Sequence, residues 1–342
     1  MGRNKTVTLR DIAEATGFSI NTVSHALKDK TDISKQTRAL IQKKAQEMGY
    51  IGNASASYMR SGISKTIAII LGDISNPHFS IMVREIEAYI RNFGYTPFIL
   101  NTDEDEENEY KAILSAAQKN VDGIILCPVQ KTHDNIRFLQ RTGIPFVLIG
   151  RRFADEDVDY VVCDDENGGY IAARYLLELG HRDILFLNAS LHISSAAERL
   201  KGFRRAFSES GIPLHPGLVY SGSAQAGGWG DVLAEALKQH PSVSAVLAFS
   251  DLIAWETILA LKNMGLRTPE DISVMGFDDI QSRFRFPVLL TTVSSSKRTM
   301  ATAAAELLLK KIQEEVREQV ILKTKLIIRE TTQPFYAGSN MR

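Results

Sequence analysis

From Thr8 to Leu27 the chain reads TLRDIAEATGFSINTVSHAL, and its apolar positions fall on two short helical faces. Leu9, Ile12 and Ala13 make one face, and Val23, Ala26 and Leu27 make the other. Thr8 and Ser19 are natural N-caps for these helices, with Asp11 three residues after Thr8 as a capping-box partner and Gly17 as the stop for the first. A third helix is signalled from Ser34 to Met48, with Thr37, Leu40, Ile41, Ala45 and Met48 on one face and Gly49 behind it. Residues 6–50 therefore read as a three-helix unit whose tight turn sets a second helix across the first, the shape that enters the DNA major groove. Ile20, Asn21, Thr22, Ser24 and His25 stay on the outer edge at the start of that helix. A helical pair with a purely structural task needs no such hydrogen-bond-rich edge.

Residues 51–63, IGNASASYMRSGI, are small and polar and read as a linker. From Thr66 the texture changes. TIAIIL (66–71), TPFIL (96–100), DGIILC (122–127), PFVLIG (145–150), YVVC (160–163), DILFLN (183–188), SAVLAF (244–249) and ISVMGF (272–277) predict buried strands. Helical patterns near 79–93, 107–119, 134–141, 166–179, 195–210, 228–239, 251–264 and 297–317 separate most of them. Such alternation predicts a parallel, doubly wound α/β architecture. It is too long for one comfortable sheet, so two similar sheets facing each other across a cleft are expected. Ligands of open α/β sheets sit beyond the carboxyl ends of strands, which places the expected site in that cleft.

Charge sharpens this division. The 342 residues sum to a formal net charge of zero, yet residues 1–62 carry +5 and the rest −5. A basic head on an acidic body fits one module that faces a polyanion. Cys127 and Cys163 lie far apart, without metal-ligand spacing, as expected of reduced thiols in a cytoplasmic protein. The polar N-terminus lacks an apolar leader core, and no run approaches the roughly 18 apolar residues of a membrane span.

Several strand ends carry candidate chemistry. Asn76 and Pro77 mark a sharp helix start that leaves His78 and Phe79 facing the cleft. Arg199, on the helix after DILFLN, either extends to solvent or grips hydroxyls or a carboxylate bidentately. Ser250-Asp251 and Asp278-Asp279 fall where strands end. One acid of such a pair serves as a cap and the second is excess to structural need, so Asp278 is the candidate hydroxyl acceptor. Asp103 opens an acidic run within reach of the cleft. There is no GxSxG, no Walker loop and no GxGxxG after a strand, and the seven histidines are scattered. No enzyme, metal site or cofactor is expected.

TLRDIAEATGFSINTVSHAL resembles the helix-turn-helix signature of lactose-repressor (LacI-type) transcriptional regulators, and the likeness continues along the chain. It runs through GDISNPHFS, NTDEDEENE, VDGIIL, IPFVLIGRR, DDENGGY, LGHRDILFL, ERLKGFRRAF, FSDLIAW, PEDISVMGFDDI, LTTVSSS and IIRETTQP, in the family's order and spacing. The resemblance implies a homodimer on a near-palindromic DNA operator, with a core like that of periplasmic sugar-binding proteins at 64–336. In that core the N-lobe takes about 64–161 plus 293–323, and the C-lobe about 162–292 plus 324–336. It implies that Ile20, Asn21 and His25 face base edges, while Ser19, Thr22 and Ser24 hold phosphates. Residues 53–60, within the 51–63 linker, resemble the family's hinge helix, with Ser57 on the DNA and Met59 in the wedge position usually held by leucine. A helix that short is expected to order only in the dimer on DNA. The effector positions fall on Phe79, Asp103, Gly150, Ser195, Arg199, Ser223, Ser250 and Asp278. Arg151 beside Gly150 adds a cation that would favour an acidic or phosphorylated sugar.

The function implied is a sequence-specific DNA-binding regulator, a repressor, whose operator affinity is set by a small sugar-like effector. The alternatives are a regulator driven by a protein corepressor, and a solute-binding protein without regulatory role.

Overall fold

The computed structural model describes residues 7–52, 58, 62–223, 225, 227–282 and 288–335. The chain divides into two units, 1–64 and 65–342.

The first unit holds α1 (Leu9–Thr16), α2 (Ile20–Leu27) and α3 (Lys35–Glu47). Thr8 Oγ1 accepts the Asp11 N–H at 3.3 Å while the Asp11 carboxylate accepts the Thr8 N–H at 2.7 Å, so aspartate closes a box usually built with glutamate. Gly17 ends α1 with φ 74°, a left-handed turn that costs glycine little. Ile12, Val23, Ala26, Ile41 and Ala45 form the small core, flanked by Leu9, Ala13, Leu27 and Met48. Leu40 departs from expectation and is 52% exposed. The buried seam of α3 runs through Ile41, Ala45 and Met48, and Leu40 lies one residue round from it.

The second unit contains twelve strands among the described residues. They are β1 (Thr66–Leu71), β2 (Thr96–Asn101), β3 (Gly123–Leu126), β4 (Phe146–Ile149), β5 (Tyr160–Cys163), β6 (Ile184–Ala189), β7 (Val219–Gly222), β8 (Ala245–Ala248), β9 (Ser273–Phe277), β10 (Thr291–Ser294), β11 (Gln319–Leu322) and β12 (Lys325–Ile327). Between them run α4 (Pro77–Arg91), α5 (Glu106–Gln118), α6 (Asp134–Thr142), α7 (Asp165–Glu178), α8 (Ser194–Glu209), α9 (Trp229–Gln239), α10 (Asp251–Asn263) and α11 (Lys297–Gln313). The first sheet has the order β11-β5-β4-β3-β1-β2 and is parallel throughout. The second has the order β12-β10-β9-β8-β6-β7 and is parallel except for β12, which runs against β10.

Four strands escape the sequence pattern for physical reasons. β7, β11 and β12 are half-exposed, so they lack an apolar run. β10 is buried but reads TTVS, its threonine hydroxyls satisfied by Thr332 and Asp251 while Thr331 Oγ1 accepts the Thr291 N–H. β2 is an edge strand with Ile99 43% exposed, not the buried strand expected.

The chain passes between the lobes after β5, between β10 and α11, and between β11 and β12. The first two crossings lie a little beyond the expected 161 and 292. β5 stays in the first sheet through Cys163, and β10 pairs with β9 through Val293. Within the second lobe α7 and α8 approach closely. A Cβ on Gly202 would lie 1.8 Å from the Glu166 carbonyl oxygen, and one on Gly169 would lie 2.1 Å from that of Arg199. That contact seats Arg199 of α8 against Asp165 of α7.

Candidate functional site

A cavity of about 370 Å³ lies between the two lobes of the second unit, at the carboxyl ends of β1–β4, β6, β8 and β9. Phe79, Asp103, Gly150, Arg151, Ser195, Arg199, Ser250 and Asp278 all line it, together with Asp73, His78, Glu104, Cys127, Gln225, Phe249 and Leu252. Ser223 does not line it. Gln225, two residues on, does.

Arg199 is buried, not solvent-directed. Its Nε donates to Asp165 Oδ1 at 2.7 Å and its Nη1 to the Phe249 carbonyl at 2.5 Å. The guanidinium lies 3.5 Å from the centre of the Phe277 ring and 4.4 Å from that of Phe249. With Nε and one Nη1 N–H committed, Nη2 is the nitrogen that makes neither bond and so the first donor to offer a ligand. Ser250 caps α10 by accepting from Ile253 N–H at 3.3 Å, and Ser195 is buried in the first turn of α8.

Arg151 sits differently from the expectation. Both its Nη atoms donate to the Glu104 carboxylate, at 2.7 and 2.8 Å, and Nη1 also reaches the Pro128 carbonyl at 2.9 Å. Its charge is matched within the protein, which removes the free cation that would favour a phosphorylated sugar. Asp103 and Glu104 hold left-handed backbone, φ 54° and 56°, which non-glycine residues adopt at a cost of roughly 1 kcal/mol each. Gly72 makes room for the Glu104 side chain, since a Cβ there would lie 2.2 Å from Glu104 Oε1.

His78 of the N-lobe meets Asp278 of the C-lobe, Nδ1 to Oδ1 at 3.3 Å, in a geometry that leaves His78 Nδ1 without a hydrogen bond. Burial, with Lys297 and Arg199 nearby, pushes His78 down to about 3, so the ring is neutral. Burial pushes Asp278 up to about 6, against the pull of Arg199 and Lys297. Behind it Asp251 is driven to about 8 by burial and by the Asp278 charge, although it accepts from Thr292 Oγ1 at 2.6 Å and Ile280 N–H at 2.8 Å.

A second set of contacts bridges the lobes beside the cavity. The N-cap of α8, Ile193, has no side-chain acceptor, and the Ser194 N–H is taken instead by Gln130 Oε1 at 2.9 Å, from the loop after β3. Arg152 N–H donates to Ser194 Oγ at 3.1 Å, and its guanidinium grips Glu198 Oε1 at 2.9 and 3.1 Å. Neither Gln130 nor Arg152 carries a sequence signal, because both belong to irregular loops.

In the first unit Ser19 caps α2, accepting the Thr22 N–H at 3.1 Å. Ile20 is 47% exposed, Asn21 is exposed, and Thr22, Ser24 and His25 are half-buried along the same helix. His25 Nδ1 lies 2.6 Å from Asp32 Oδ2, a partner the sequence does not announce. Ser57 and Met59, with most of the expected hinge helix, lie outside the described residues. Among the described residues no three His, Cys, Asp or Glu side chains group to hold a metal, and no helix is long and apolar enough to cross a membrane.

A helix-turn-helix unit joined to a two-lobed, ligand-cleft receptor defines a ligand-sensing DNA-binding regulator. Residues 8–53 match bacterial regulatory proteins of the lacI family, and residues 64–330 match the periplasmic binding proteins and sugar binding domain of LacI family. The chain belongs to the LacI family. It is 31% identical over 342 residues to the HTH-type transcriptional regulator DegA of Bacillus subtilis (strain 168), covering 96% of this chain and 98% of that protein. It is 30% identical over 328 residues to the HTH-type transcriptional repressor PurR of Pasteurella multocida (strain Pm70), covering 95% and 98%. A solved LacI family regulator from Enterococcus faecium with bound ribose matches at TM-score 0.71 and 28% identity, over 79% of this chain and all of that one. The chain is thus a DNA-binding transcriptional regulator and not an enzyme.

Proposed function

We propose that this regulator is a cytoplasmic repressor, working as a homodimer, that senses a small polyhydroxylated ligand, neutral or amine-bearing, in the inter-lobe cavity. The observation that carries this reading is the state of the two arginines. Arg199 is braced by Asp165 and two phenylalanines, leaving Nη2 for hydroxyls, while Arg151 is closed off by Glu104. Asp73 and Asp103 from the N-lobe and Asp278 from the C-lobe add acceptors and negative charge. Sugar hydroxyls suit that set, the C–H faces of a sugar ring suit Phe79 and Phe249, and a phosphate does not suit it. The ribose-bound relative supports the same ligand class. The exposed edge strand β2, with Ile99 and neighbouring Phe93 43% and 48% exposed, supports association of the core with a second copy.

On the DNA, Ile20, Asn21 and His25 read bases while Ser19, Thr22 and Ser24 hold phosphates, with Ser57 and Met59 in the hinge segment. Ligand and DNA communicate through the lobe arrangement. An effector that prefers one arrangement by about 1–3 kcal/mol changes operator affinity about 5–150-fold. A thermal-shift screen of neutral sugars, amino sugars and sugar phosphates tests the ligand class, since a ligand at 100 times its Kd adds ~2.7 kcal/mol. Neutral or amino sugars should raise Tm, and the active compound should alter affinity for duplexes selected by the protein. Stabilisation by sugar phosphates alone would refute the reading.

A further inference from the structure

The contact between His25 and Asp32 lies beside the DNA-reading edge of α2 and serves no evident packing purpose. His25 stands in the last turn of α2, and Asp32 lies in the loop that leads to α3. Their side chains are 24% and 54% exposed, and an exposed pair of this kind adds little to stability. The loop is nevertheless carefully held. Arg38 Nη2 donates to the Lys30 carbonyl at 2.5 Å and to that of Ile33 at 3.2 Å. Gln42 Nε2 donates to the Ala26 carbonyl at 3.0 Å and to Asp29 Oδ1 at 2.8 Å. Two α3 side chains thus fix the backbone on either side of Asp32 and keep its carboxylate 2.6 Å from His25 Nδ1.

An ionised carboxylate can only accept, so the proton between the two groups sits on Nδ1. The hydrogen bond from His25 holds Asp32 below the ordinary carboxylate range, in keeping with that arrangement. The ring then cannot flip, and its free nitrogen is Nε2. Without an acceptor at Nδ1 an exposed imidazole samples two ring orientations and two tautomers, and it presents no single pattern to a base edge.

We propose that Asp32 is a positioning residue for base recognition: by binding Nδ1 it fixes His25 so that Nε2 faces the groove and sets the base preference at one position in each half-site. The proposal rests on the assignment of His25 as a base reader. It also carries a signature that a loop-bracing role lacks. Asp32 is an anion beside the edge of α2 assigned to DNA, so its removal should leave non-specific DNA affinity unchanged or raise it, while selectivity falls.

The test uses the full-length protein and a duplex library with a randomised core, enriched by the wild type. Preferences are then measured for wild type, Asp32→Ala, Asp32→Asn, His25→Ala and the His25→Ala/Asp32→Ala double variant. His25→Ala should relax one symmetric position. Asp32→Ala should relax that same position, by about 5- to 10-fold, without losing affinity for scrambled duplex. Asp32→Asn, which keeps an acceptor, should retain part of the selectivity, and the double variant should match His25→Ala alone. If Asp32→Ala keeps wild-type selectivity while His25→Ala relaxes it, the proposal fails and the reading of His25 stands. A uniform loss over all duplexes with Asp32→Ala would make Asp32 a structural residue and also overturn it. No change with His25→Ala at any position would remove the reading of His25 and the proposal together.

Discussion

Gln130→Ala should shift the lobes from closed to open by roughly five- to tenfold. The side chain makes one bond across the cleft, Oε1 to Ser194 N–H at 2.9 Å, and one within its own lobe, Nε2 to the Arg152 carbonyl at 2.8 Å. Only the first is tied to closure. Its loss strips the first turn of α8 of an acceptor that no local cap supplies. A net hydrogen bond is worth about 0.5–1.5 kcal/mol, and a freed N–H that regains water from the opened cleft keeps the cost near 1–1.5 kcal/mol. At ~1.4 kcal/mol per decade, the closed-to-open ratio falls about five- to tenfold. Energy transfer between dyes on Lys111→Cys and Lys238→Cys, one exposed position in each lobe, reads that ratio directly. Both native thiols are buried, with Cys127 pushed up to about 12 and Cys163 well above its usual range, and a Cys127→Ala background removes the one that lines the cavity. Gln130→Glu, which keeps an acceptor at the helix N-terminus, should stay closed. An unchanged transfer distribution in Gln130→Ala, alongside a lowered Tm, would show that Gln130 braces its own lobe and does not join the two.

Three further outcomes follow from buried groups. Arg199→Ala leaves Asp165, its side chain 3% exposed, without its cation; it should cost about 3–5 kcal/mol in urea unfolding, and Asp165→Asn in the same chain should recover much of that. If the double variant were no more stable than Arg199→Ala, the ion pair would not be what holds α7 and α8. Gly202→Ala should cost on the order of 2–3 kcal/mol, because the new methyl meets helix backbone and not a movable side chain. A Tm at or above wild type, the helix-propensity gain alone, would contradict that packing. Asp251 keeps its proton up to about 8 when folded but releases it at an ordinary 3.8 when unfolded. The folded chain therefore holds one extra proton between those values; this contribution to stability is complete below the lower one and is lost as pH rises through the upper, with a slope of at most ~1.4 kcal/mol per pH unit. Unfolding of wild type and Asp251→Asn across that window should show the steeper fall for wild type, and parallel curves would mean Asp251 is ionised throughout.

The parts of the fold that follow from local chemistry are legible in the sequence. Thr8, Ser19 and Ser34 cap the helices they were expected to cap, and the two-sheet division follows from the count of strand-helix units. The residues that line the cavity are legible as strand-end positions, because the carboxyl ends of parallel strands converge there. What the sequence withholds is pairing. Nothing in the string shows that Arg151 spends its charge on Glu104, 47 residues away, or that Arg199 meets Asp165, 34 residues away. Those partners decide which arginine is available to a ligand, so what speaks against the phosphate-binding expectation is a tertiary contact and not a residue type. His25 and Asp32 are seven residues apart and equally silent, since a loop stands between them.

The crossing between β10 and α11 shows how the site is tied to the rest of the core. Lys297 is the first residue of α11, a helix that packs on α4 and on β3–β5 of the N-lobe. Its side chain nevertheless turns into the C-lobe, where Nζ donates to the carbonyls of Asp278 at 2.7 Å and Asp279 at 2.6 Å. Burial lowers its affinity for a proton, and the nearby acids, Asp278 and Asp279 foremost, offset part of that cost. A buried ammonium cannot exchange such partners for water cheaply, so the backbone at Asp278 and the start of α11 are held as one piece. The neighbouring positive-φ residues, Asp278 at φ 111°, Asp279 at φ 55° and Ser296 at φ 53°, are held beside this network, with Arg329 on the Asp279 carboxylate and the Lys323 carbonyl on Ser296 Oγ. If Asp278 holds the ligand as proposed, a pull on its carboxylate would act on a segment already fastened to the first turn of α11, a route that bypasses both sheets.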